Sequence, residues 1–175
     1  MIIGLCGAAG AGKDTVAARL AAAHGFEAFA FADPLYKMIS EMTGLPVEHL
    51  RDREVKERVL PAVGMSPRKL LQSLGTEWGR SMVSDDIWIK LALQRAAGSL
   101  NATISDVRFD NEAEAVRRAG GRIWRVVRPG VSCLDASTAR HSSEQGISPD
   151  LIDLVLLNDA GIETLDARVD AAIAL

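Results

Sequence analysis

Residues 7–15 read GAAGAGKDT and directly follow an apolar stretch at residues 2–6. The spacing GxxxxGK between a strand and a helix is typical of a phosphate-binding loop. Glycines permit the tight concave backbone in which several N–H groups face one phosphate, and the start of a helix adds partial positive charge. The segment therefore predicts an α/β chain with a phosphate site at a strand-to-helix junction.

We predict that the phosphates of a donor nucleotide contact seven residues of this loop: Gly7, Gly10, Ala11, Gly12, Lys13, Asp14 and Thr15. Lys13 can reach the β- and γ-phosphates and is a predicted catalytic residue. Asp14 stands where Ser or Thr usually ligates Mg²⁺, so we expect the metal to be held by Thr15, water and nucleotide oxygens. Two alternatives stay open: a glycine-rich turn without a ligand, and a P-loop ATPase or GTPase.

Apolar strand-like runs alternate with amphipathic stretches along the rest of the chain, which indicates a parallel sheet with crossover helices. We expect five strands, at about residues 2–6, 28–32, 102–107, 122–127 and 154–157. Start and stop signals predict helices at about residues 13–24 and 111–119, after Asp33-Pro34, Ser66-Pro67 and Asp85-Asp86, and at the end of the chain.

Two long stretches do not fit this alternation. Residues 45–64 are charge-dense and broken by two prolines, and they do not resemble core; residues 129–149 are polar and irregular. Such loops are usually functional, and we expect both to close over a substrate. We therefore predict a single domain over residues 1–175, with an acceptor-binding helical region at about 34–98 and a lid at about 129–149.

The composition excludes several classes of protein. The 175 residues carry a net charge of −3, so no overall basic field draws the chain to nucleic acid or to an anionic membrane. The two cysteines, Cys6 and Cys133, show no disulfide framework or metal-ligand spacing. The sequence lacks a long apolar run and a signal-peptide pattern, which favours a cytoplasmic protein. The oligomeric state is not determined, and a homodimer stays open.

Two carboxylates follow predicted strands, at the edge where ligands bind in open α/β sheets. Asp106 ends the third strand and is predicted to lie near Mg²⁺, through water; the alternative is a turn or helix cap. Asp33 ends the second strand and is predicted to face the acceptor. It can equally be the N-cap of a helix in which Pro34 takes the first position.

Phosphoryl transfer also requires cations that neutralise the charge between donor and acceptor. The arginine candidates are Arg68, Arg80, Arg108, Arg128 and Arg140. Arg108 follows Asp106 and is the strongest of them. Arg68, Gln72 and Thr76 are spaced along one ridge of a predicted α-helix, opposite a stripe formed by Leu70, Leu71, Leu74 and Trp78; the alternative is a solvated face. Trp88 and Trp124 are expected in the core.

Seven motifs then point to a known family: GAAGAGKDT, FADPLYK (31–37), RKLLQSLGTEWGR (68–80), DDIWI (85–89), SDVRFDNEAEAVRRAGG (105–121), RVVRP (125–129) and HSSE (141–144). In this order they resemble the phage-type deoxynucleoside monophosphate kinases of the P-loop nucleoside monophosphate kinase superfamily. The resemblance covers most of the chain, and the combination of motifs is far more specific than the loop alone.

The resemblance implies a three-layer α/β/α P-loop kinase with a five-stranded parallel sheet, which uses ATP and Mg²⁺. It implies transfer of the γ-phosphate to a deoxynucleoside monophosphate, in a bacterial cytoplasm and from a phage or prophage gene. The acceptor-side residues would be Asp33, Lys37, Arg68, Gln72, Trp78 and Arg80. The catalytic residues would be Lys13, Arg108, Arg128 and Arg140, the last two in the lid.

Other functions stay open at this point. A P-loop kinase of another metabolite, of the dephospho-coenzyme A or phosphomevalonate type, has much of the same scaffold. A regulatory module that binds a nucleotide without transfer is a different class. A kinase that acts on nucleic-acid ends is disfavoured because no basic stripe is present. We expect small nucleotides as the substrates and direct in-line transfer, since an ionised phosphate acceptor needs no strong base.

Overall fold

The computed structural model describes residues 1–131 and 146–174, and these form two compact units. Unit 1 comprises Met1–Ala30 and the described part of Ala92–Leu175. Unit 2 comprises Phe31–Leu91, so the chain leaves unit 1 once and returns to it once. Unit 2 overlaps the region predicted to bind the acceptor, and that role remains a prediction.

The sheet of unit 1 has five parallel strands: β1 (Ile2–Cys6), β2 (Glu27–Phe29), β3 (Ala102–Ile104), β4 (Arg122–Val127) and β5 (Leu154–Leu157). Their spatial order is β2-β3-β1-β4-β5, which places the first strand at the centre. Three strands have the predicted bounds. The second and third end earlier than predicted, at Phe29 and Ile104, because the chain turns as soon as it passes the sheet edge.

The helices are α1 (Lys13–His24), α2 (Asp33–Thr43), α3 (Val47–Arg51), α4 (Arg53–Glu57), α5 (Pro67–Gln72), α6 (Ile87–Ala96), α7 (Asp110–Arg118) and α8 (Ile162–Ile173), with a π-helix at Ser73–Val83 and a 3-10 turn at Pro149–Leu151. The α1 helix has the predicted bounds, and Gly25 ends it in the left-handed conformation. No helix within residues 1–131 and 146–174 is long and apolar enough to span a membrane.

Strand alternation divides the core of unit 1 between the two faces of the sheet. On one face, Ile3 and Leu5 pack in a buried cluster with residues of α1, α8 and β4. On the other face, Gly4 lies against Val116 of α7, and an added Cβ would come within 2.7 Å of Ile123 and 2.9 Å of Val107. Helices on both faces of a parallel sheet make the predicted three-layer α/β/α fold, which is confirmed.

The α8 helix is held on α1 by packing more than by charge. Leu165 and Val169 are fully or almost fully buried in the cluster. Burying each side chain contributes roughly 1.5–3 kcal/mol relative to exposure. Asp170 accepts hydrogen bonds from Arg19 at 2.5 Å and from His24 at 2.8 Å, but exposed pairs of this kind contribute little.

The prediction that residues 45–64 lie outside the core is wrong. They contain α3 and α4, and Leu50 is fully buried with Tyr36, Ile39 and Leu70 in the core of unit 2. The helices are only five residues long, too short for the 3.6-residue period to emerge among so many charges.

Two local predictions in unit 2 also need correction. Asp33 is not the N-cap of α2: the cap is Ala32 and Asp33 is the first helical residue. Asp33 also does not end the second strand. The predicted ridge from Arg68 through Gln72 to Thr76 is interrupted, because α5 passes into the π-helix at Ser73. Hydrogen bonds from residue i to i+5 widen the turn there, so α-helical spacing no longer holds.

Candidate functional site

The loop between β1 and α1 has the backbone that its glycines predict. Gly7, Gly10 and Gly12 have φ values of 136°, 80° and 108°, which side-chain-bearing residues rarely adopt. A Cβ at Gly7 would also collide with the Val126 carbonyl oxygen. The loop closes with a hydrogen bond from the Ala11 N–H to the Ala8 carbonyl oxygen, at 3.1 Å. These positions therefore require glycine for conformation and, at Gly7, for space.

Lys13, the first residue of α1, folds back over the loop. Its Nζ donates to the carbonyl oxygens of Gly7 at 2.8 Å and Ala8 at 2.9 Å. The ammonium group thus lies at the mouth of a cavity of about 450 Å³, whose wall includes loop residues and the carboxyl-terminal part of β4. A volume of this order suits a small ligand.

The charged side chains among the described residues that line this cavity are all basic. Among the described residues that line it, four are cationic and none is acidic; the cations are Lys13, Arg108, Arg125 and Arg128. Arg128 and Arg108 are exposed, so they can move toward a ligand. Arg125 is more enclosed and donates to the Ile147 carbonyl oxygen at 2.6 Å. The arrangement is electrostatically suited to a polyanion such as a nucleotide phosphate chain.

Cys6 also lines the cavity, and its thiol is a potential nucleophile. Burial raises the pKa of this thiol, and the hydrogen bond and charge of Arg125 and the charge of Lys13 only partly oppose that effect. The thiol is therefore protonated at neutral pH and is a poor nucleophile. Among the described residues that line the cavity, no activated cysteine is therefore available for a covalent intermediate.

Hydrogen bonds to Glu112 and to the central strand hold the turn that carries Asp106 and Arg108. The buried carboxylate of Glu112 accepts the backbone N–H of Arg108 at 2.7 Å and that of Phe109 at 3.1 Å. The Val107 N–H donates to the Leu5 carbonyl oxygen at 3.1 Å, which ties the turn to the central strand. Glu112, at the third position of α7, thus binds the N–H groups of the two residues that precede the helix. Asp106 is half-buried in this turn.

The sequence profile of the deoxynucleotide monophosphate kinases matches residues 46–169. A protein of Acanthamoeba polyphaga mimivirus, whose name places it provisionally in this class, is 31% identical over 97% of this chain and 94% of its own length. The chain belongs to the deoxynucleotide monophosphate kinase family. The deoxynucleoside-5′-monophosphate kinase of Escherichia phage T5 is 35% identical over 66% of this chain, and the deoxynucleotide monophosphate kinase of Enterobacteria phage T4 is 31% identical over 59%.

Members of this family differ in length. The chain spans nearly all of the mimivirus relative but matches only 49% of the T5 protein and 44% of the T4 protein. Solved structures support the fold alone: shikimate kinase from Aquifex aeolicus (TM-score 0.50, 16% identity), TT1252 from Thermus thermophilus (0.53, 19%) and dephospho-CoA kinase from Campylobacter jejuni (0.50, 13%). Each of these matches covers 99% of this chain and at least 95% of the other.

Unit 2 contains the residues predicted to bind the acceptor, and three of them make ion pairs within this unit. Asp33 accepts a hydrogen bond from Arg51 at 2.7 Å, and Arg68 donates to Glu57 at 2.6 Å. Arg80 is buried, and its guanidinium donates at 3.1 Å to both the side chain and the backbone carbonyl of Asp85.

The remaining acceptor-side predictions are more exposed. Lys37 is exposed and Gln72 is half-buried. Trp78 is 39% exposed, so it does not continue the buried stripe of α5, and its ring lies 6.4 Å from that of Trp88. Trp88 and Trp124 are buried, as predicted.

Several site residues were not predicted. In unit 2, Tyr36 is buried beneath two cations: Arg51 lies 4.8 Å from its ring centroid and Lys56 lies 5.5 Å from it, with Nζ 2.8 Å from the hydroxyl. These cations belong to the charge-dense segment at residues 45–64, which the sequence predicts to lie outside the core. Arg125 could have been found from RVVRP, since a cation at the carboxyl end of a strand beside the loop is a signal. Arg140 lies outside the described residues.

Proposed function

We propose that this chain transfers the γ-phosphoryl group of ATP to a deoxynucleoside monophosphate and releases the diphosphate and ADP. The observation that carries the proposal is the cationic cavity, lined by the phosphate loop and four basic side chains with no acidic residue among its described lining. Membership of the deoxynucleotide monophosphate kinase family supplies the substrate class.

On the donor side, the loop from Gly7 to Thr15 binds the ATP phosphates through its backbone N–H groups. Lys13 exchanges its two carbonyl contacts for β- and γ-phosphate oxygens. Arg108 and Arg128 are placed around the transferred group, where they stabilise the negative charge of the transition state. Arg140 keeps its predicted role as a lid cation. Transfer is direct and in line, which agrees with the protonated thiol of Cys6.

The family and the loop both imply Mg²⁺, and the residues fit it. No three His, Cys, Asp or Glu side chains converge within the described part of the chain. Mg²⁺ in phosphoryl-transfer sites needs no such cage, because it is held by one or two protein oxygens, water and the substrate phosphates. The Thr15 hydroxyl and, through water, the Asp106 carboxylate would hold it. When bound, the ion neutralises charge on the β- and γ-phosphates.

On the acceptor side, we propose that unit 2 binds the monophosphate. The predicted residues Asp33, Lys37, Arg68, Gln72, Trp78 and Arg80 keep this role, and Arg51 and Lys56 join them as exposed or half-buried cations. A buried tyrosine under both cations limits their movement, which favours a fixed anion site. The acceptor supplies a nucleophile that is already ionised, so no general base is required.

The proposed setting follows from the partners. Small nucleotides are the substrates, and nucleic acid is not, since the chain is acidic overall. We propose that the protein acts in a bacterial cytoplasm as a phage or prophage product, which is supported by the relatives from Escherichia phages. A homodimer stays open.

The test is ADP release from ATP and Mg²⁺ across a panel of acceptors. The panel contains dTMP, dGMP, dCMP and dAMP, the matching ribonucleotides, and dephospho-coenzyme A and phosphomevalonate. We expect at least one deoxynucleotide to stimulate ADP release and to appear as its diphosphate. Stimulation only by another metabolite would move the chain to a different kinase specificity. Tight ATP binding without any acceptor-dependent release would indicate a regulatory module.

A further inference from the structure

The loop that follows β5 contacts the phosphate loop through one side chain. Asn158 Nδ2 donates a 2.8 Å hydrogen bond to the Ala11 carbonyl oxygen. Ala11 is 1% exposed, so water does not readily replace this partner. A Cβ added at Gly12 would lie 2.5 Å from the same Nδ2 atom. Asn158 therefore occupies the space beside Gly12 and satisfies a buried carbonyl group of the loop.

This contact sets the direction of one peptide group. In a planar trans peptide the C=O and the following N–H point in opposite directions. Because Asn158 holds the Ala11 carbonyl, the Gly12 N–H is directed away from Asn158. Ala11 and Lys13, the residues on either side of Gly12, both line the cationic cavity. An N–H group fixed at this point of the loop is suited to a phosphate oxygen.

Asn158 is itself fixed by the sheet and by α8. Its backbone N–H donates to the Val127 carbonyl oxygen at 2.7 Å. The next residue, Asp159, accepts a hydrogen bond from Arg168 of α8 at 2.7 Å, and Arg168 also donates to the Leu157 carbonyl oxygen. A side chain that is anchored on both sides can hold the loop without losing much conformational entropy of its own.

We infer that Asn158 is a positioning residue for the donor phosphates, acting through the Ala11–Gly12 peptide. This inference rests on the proposed function, because it takes ATP as the loop's ligand. A residue with this role controls ATP affinity more than it controls the acceptor. Substitution of a residue that only stabilises the fold lowers the melting temperature and does not affect one substrate's binding more than the other's.

The experiment compares the wild-type protein with Asn158→Ala, Asn158→Asp and a control, Glu163→Gln, at an exposed position in the first turn of α8. ATP binding is measured by calorimetry without acceptor, and KM for ATP and for the acceptor are measured separately, together with the melting temperature. We expect Asn158→Ala to weaken ATP binding about tenfold, since the Ala11–Gly12 peptide is no longer held in one orientation. KM for the acceptor should change less than about twofold, and the control Glu163→Gln should bind ATP normally.

Asn158→Asp gives a second test, because it keeps the shape of the side chain. At pH 8 its carboxylate faces the Ala11 carbonyl oxygen, and ATP should bind at least as weakly as to Asn158→Ala. At pH 5, where more of the carboxyl group is protonated and can donate, we expect affinity to recover relative to wild type at the same pH. Unchanged ATP affinity in both Asn158 variants, or an equal loss in Glu163→Gln, would overturn the inference. Failure of the wild-type protein to bind ATP would overturn the proposed function itself, and the inference with it.

Discussion

The phosphate loop and the acceptor-side insertion use their basic residues differently. Around the loop, Lys13 and Arg125 donate to backbone carbonyl oxygens in the contacts that define the cavity. In unit 2, Arg51 and Arg68 donate to the carboxylates of Asp33 and Glu57. A carbonyl partner is neutral and does not itself cancel the positive charge of the donor. A carboxylate partner cancels much of that charge, so an incoming phosphate must compete with it.

This difference indicates how the two substrates are recognised. The cavity at the phosphate loop is lined by basic side chains without a described acidic one, and we propose that it suits the highly charged triphosphate of ATP. In the proposed acceptor region, Arg51 and Arg68 are paired with carboxylates, so the affinity for a monophosphate is reduced by competition with these partners. We therefore expect single substitutions in the loop to have larger effects than single substitutions in unit 2.

Replacing Lys13 gives the largest expected effect. Lys13→Met should lower kcat about a thousandfold, as expected for loss of a charge that stabilises the transition state. Its hydrogen bonds are made to loop carbonyls at the cavity and not in the core, so the melting temperature should hardly change. Lys90→Met, which removes a lysine that is 71% exposed in α6, is the control and should remain active. Near-normal turnover by a folded Lys13→Met protein would contradict the donor-site account.

A pair of glycines in the π-helix tests the packing of unit 2. A Cβ at Gly79 would overlap the Trp88 indole, whose Nε1 donates to the Gly75 carbonyl oxygen at 2.8 Å. A Cβ at Gly75 would lie 3.0 Å from Leu35 Cδ1, the end of a flexible side chain. We expect Gly79→Ala to lower the free energy of unfolding by about 1–3 kcal/mol and Gly75→Ala by less than about 1 kcal/mol. Urea unfolding followed by tryptophan fluorescence measures both, and equal losses would disprove the packing argument.

The acceptor cations are tested by Arg51→Gln. Because Asp33 already neutralises part of the Arg51 charge, the expected rise in KM for the deoxynucleotide is only about fivefold, with KM for ATP unchanged. Arg58→Gln, at an exposed position on the same segment, is the matched control. An equal rise in both KM values would show that Arg51 does not distinguish the two substrates.

The smallest expected effect concerns acid stability in unit 1. Hydrogen bonds from Arg19 and then His24 lower the pKa of Asp170 from its ordinary value of 3.8 to about 2. The folded state therefore gains stability from the Asp170 carboxylate at pH values above 3.8, and loses it as the pH falls toward 2. We expect Asp170→Asn to melt at a lower temperature than wild type at pH 7, with the gap closing by pH 2. A gap that is independent of pH would contradict this assignment.

The sequence predicted the backbone of the phosphate loop better than the packing of unit 2, for a physical reason. The loop depends on glycine conformations and on the adjacent strand and helix, all of which are local in sequence. In unit 2, the pairs Arg51–Asp33 and Lys56–Tyr36 join residues 18 and 20 positions apart through helices too short to show a period. The π-helix could not be predicted from the sequence either. The spacing of its apolar residues resembles that of an α-helix, and only the packing of Trp88 against Gly75 and Gly79 distinguishes the two.

Contacts between distant segments explain the other omissions. Asn158 lies 147 residues from its partner Ala11, and nothing near either residue in the sequence indicates the pairing. Glu112 is different, because an acidic residue at the third position of a helix is a recognisable capping signal. Asp110, in the same turn, instead accepts a hydrogen bond from the Ser148 backbone N–H at 2.8 Å.

The most direct test of the account follows the transferred phosphoryl group itself. ATP labelled with ¹⁸O at the non-bridging γ-oxygens is incubated with the wild-type protein, Mg²⁺ and the four deoxynucleoside monophosphates. The masses of the products are then measured by mass spectrometry. The account predicts a deoxynucleoside diphosphate that carries the full label in its terminal phosphoryl group. Labelled inorganic phosphate without any labelled diphosphate would contradict it.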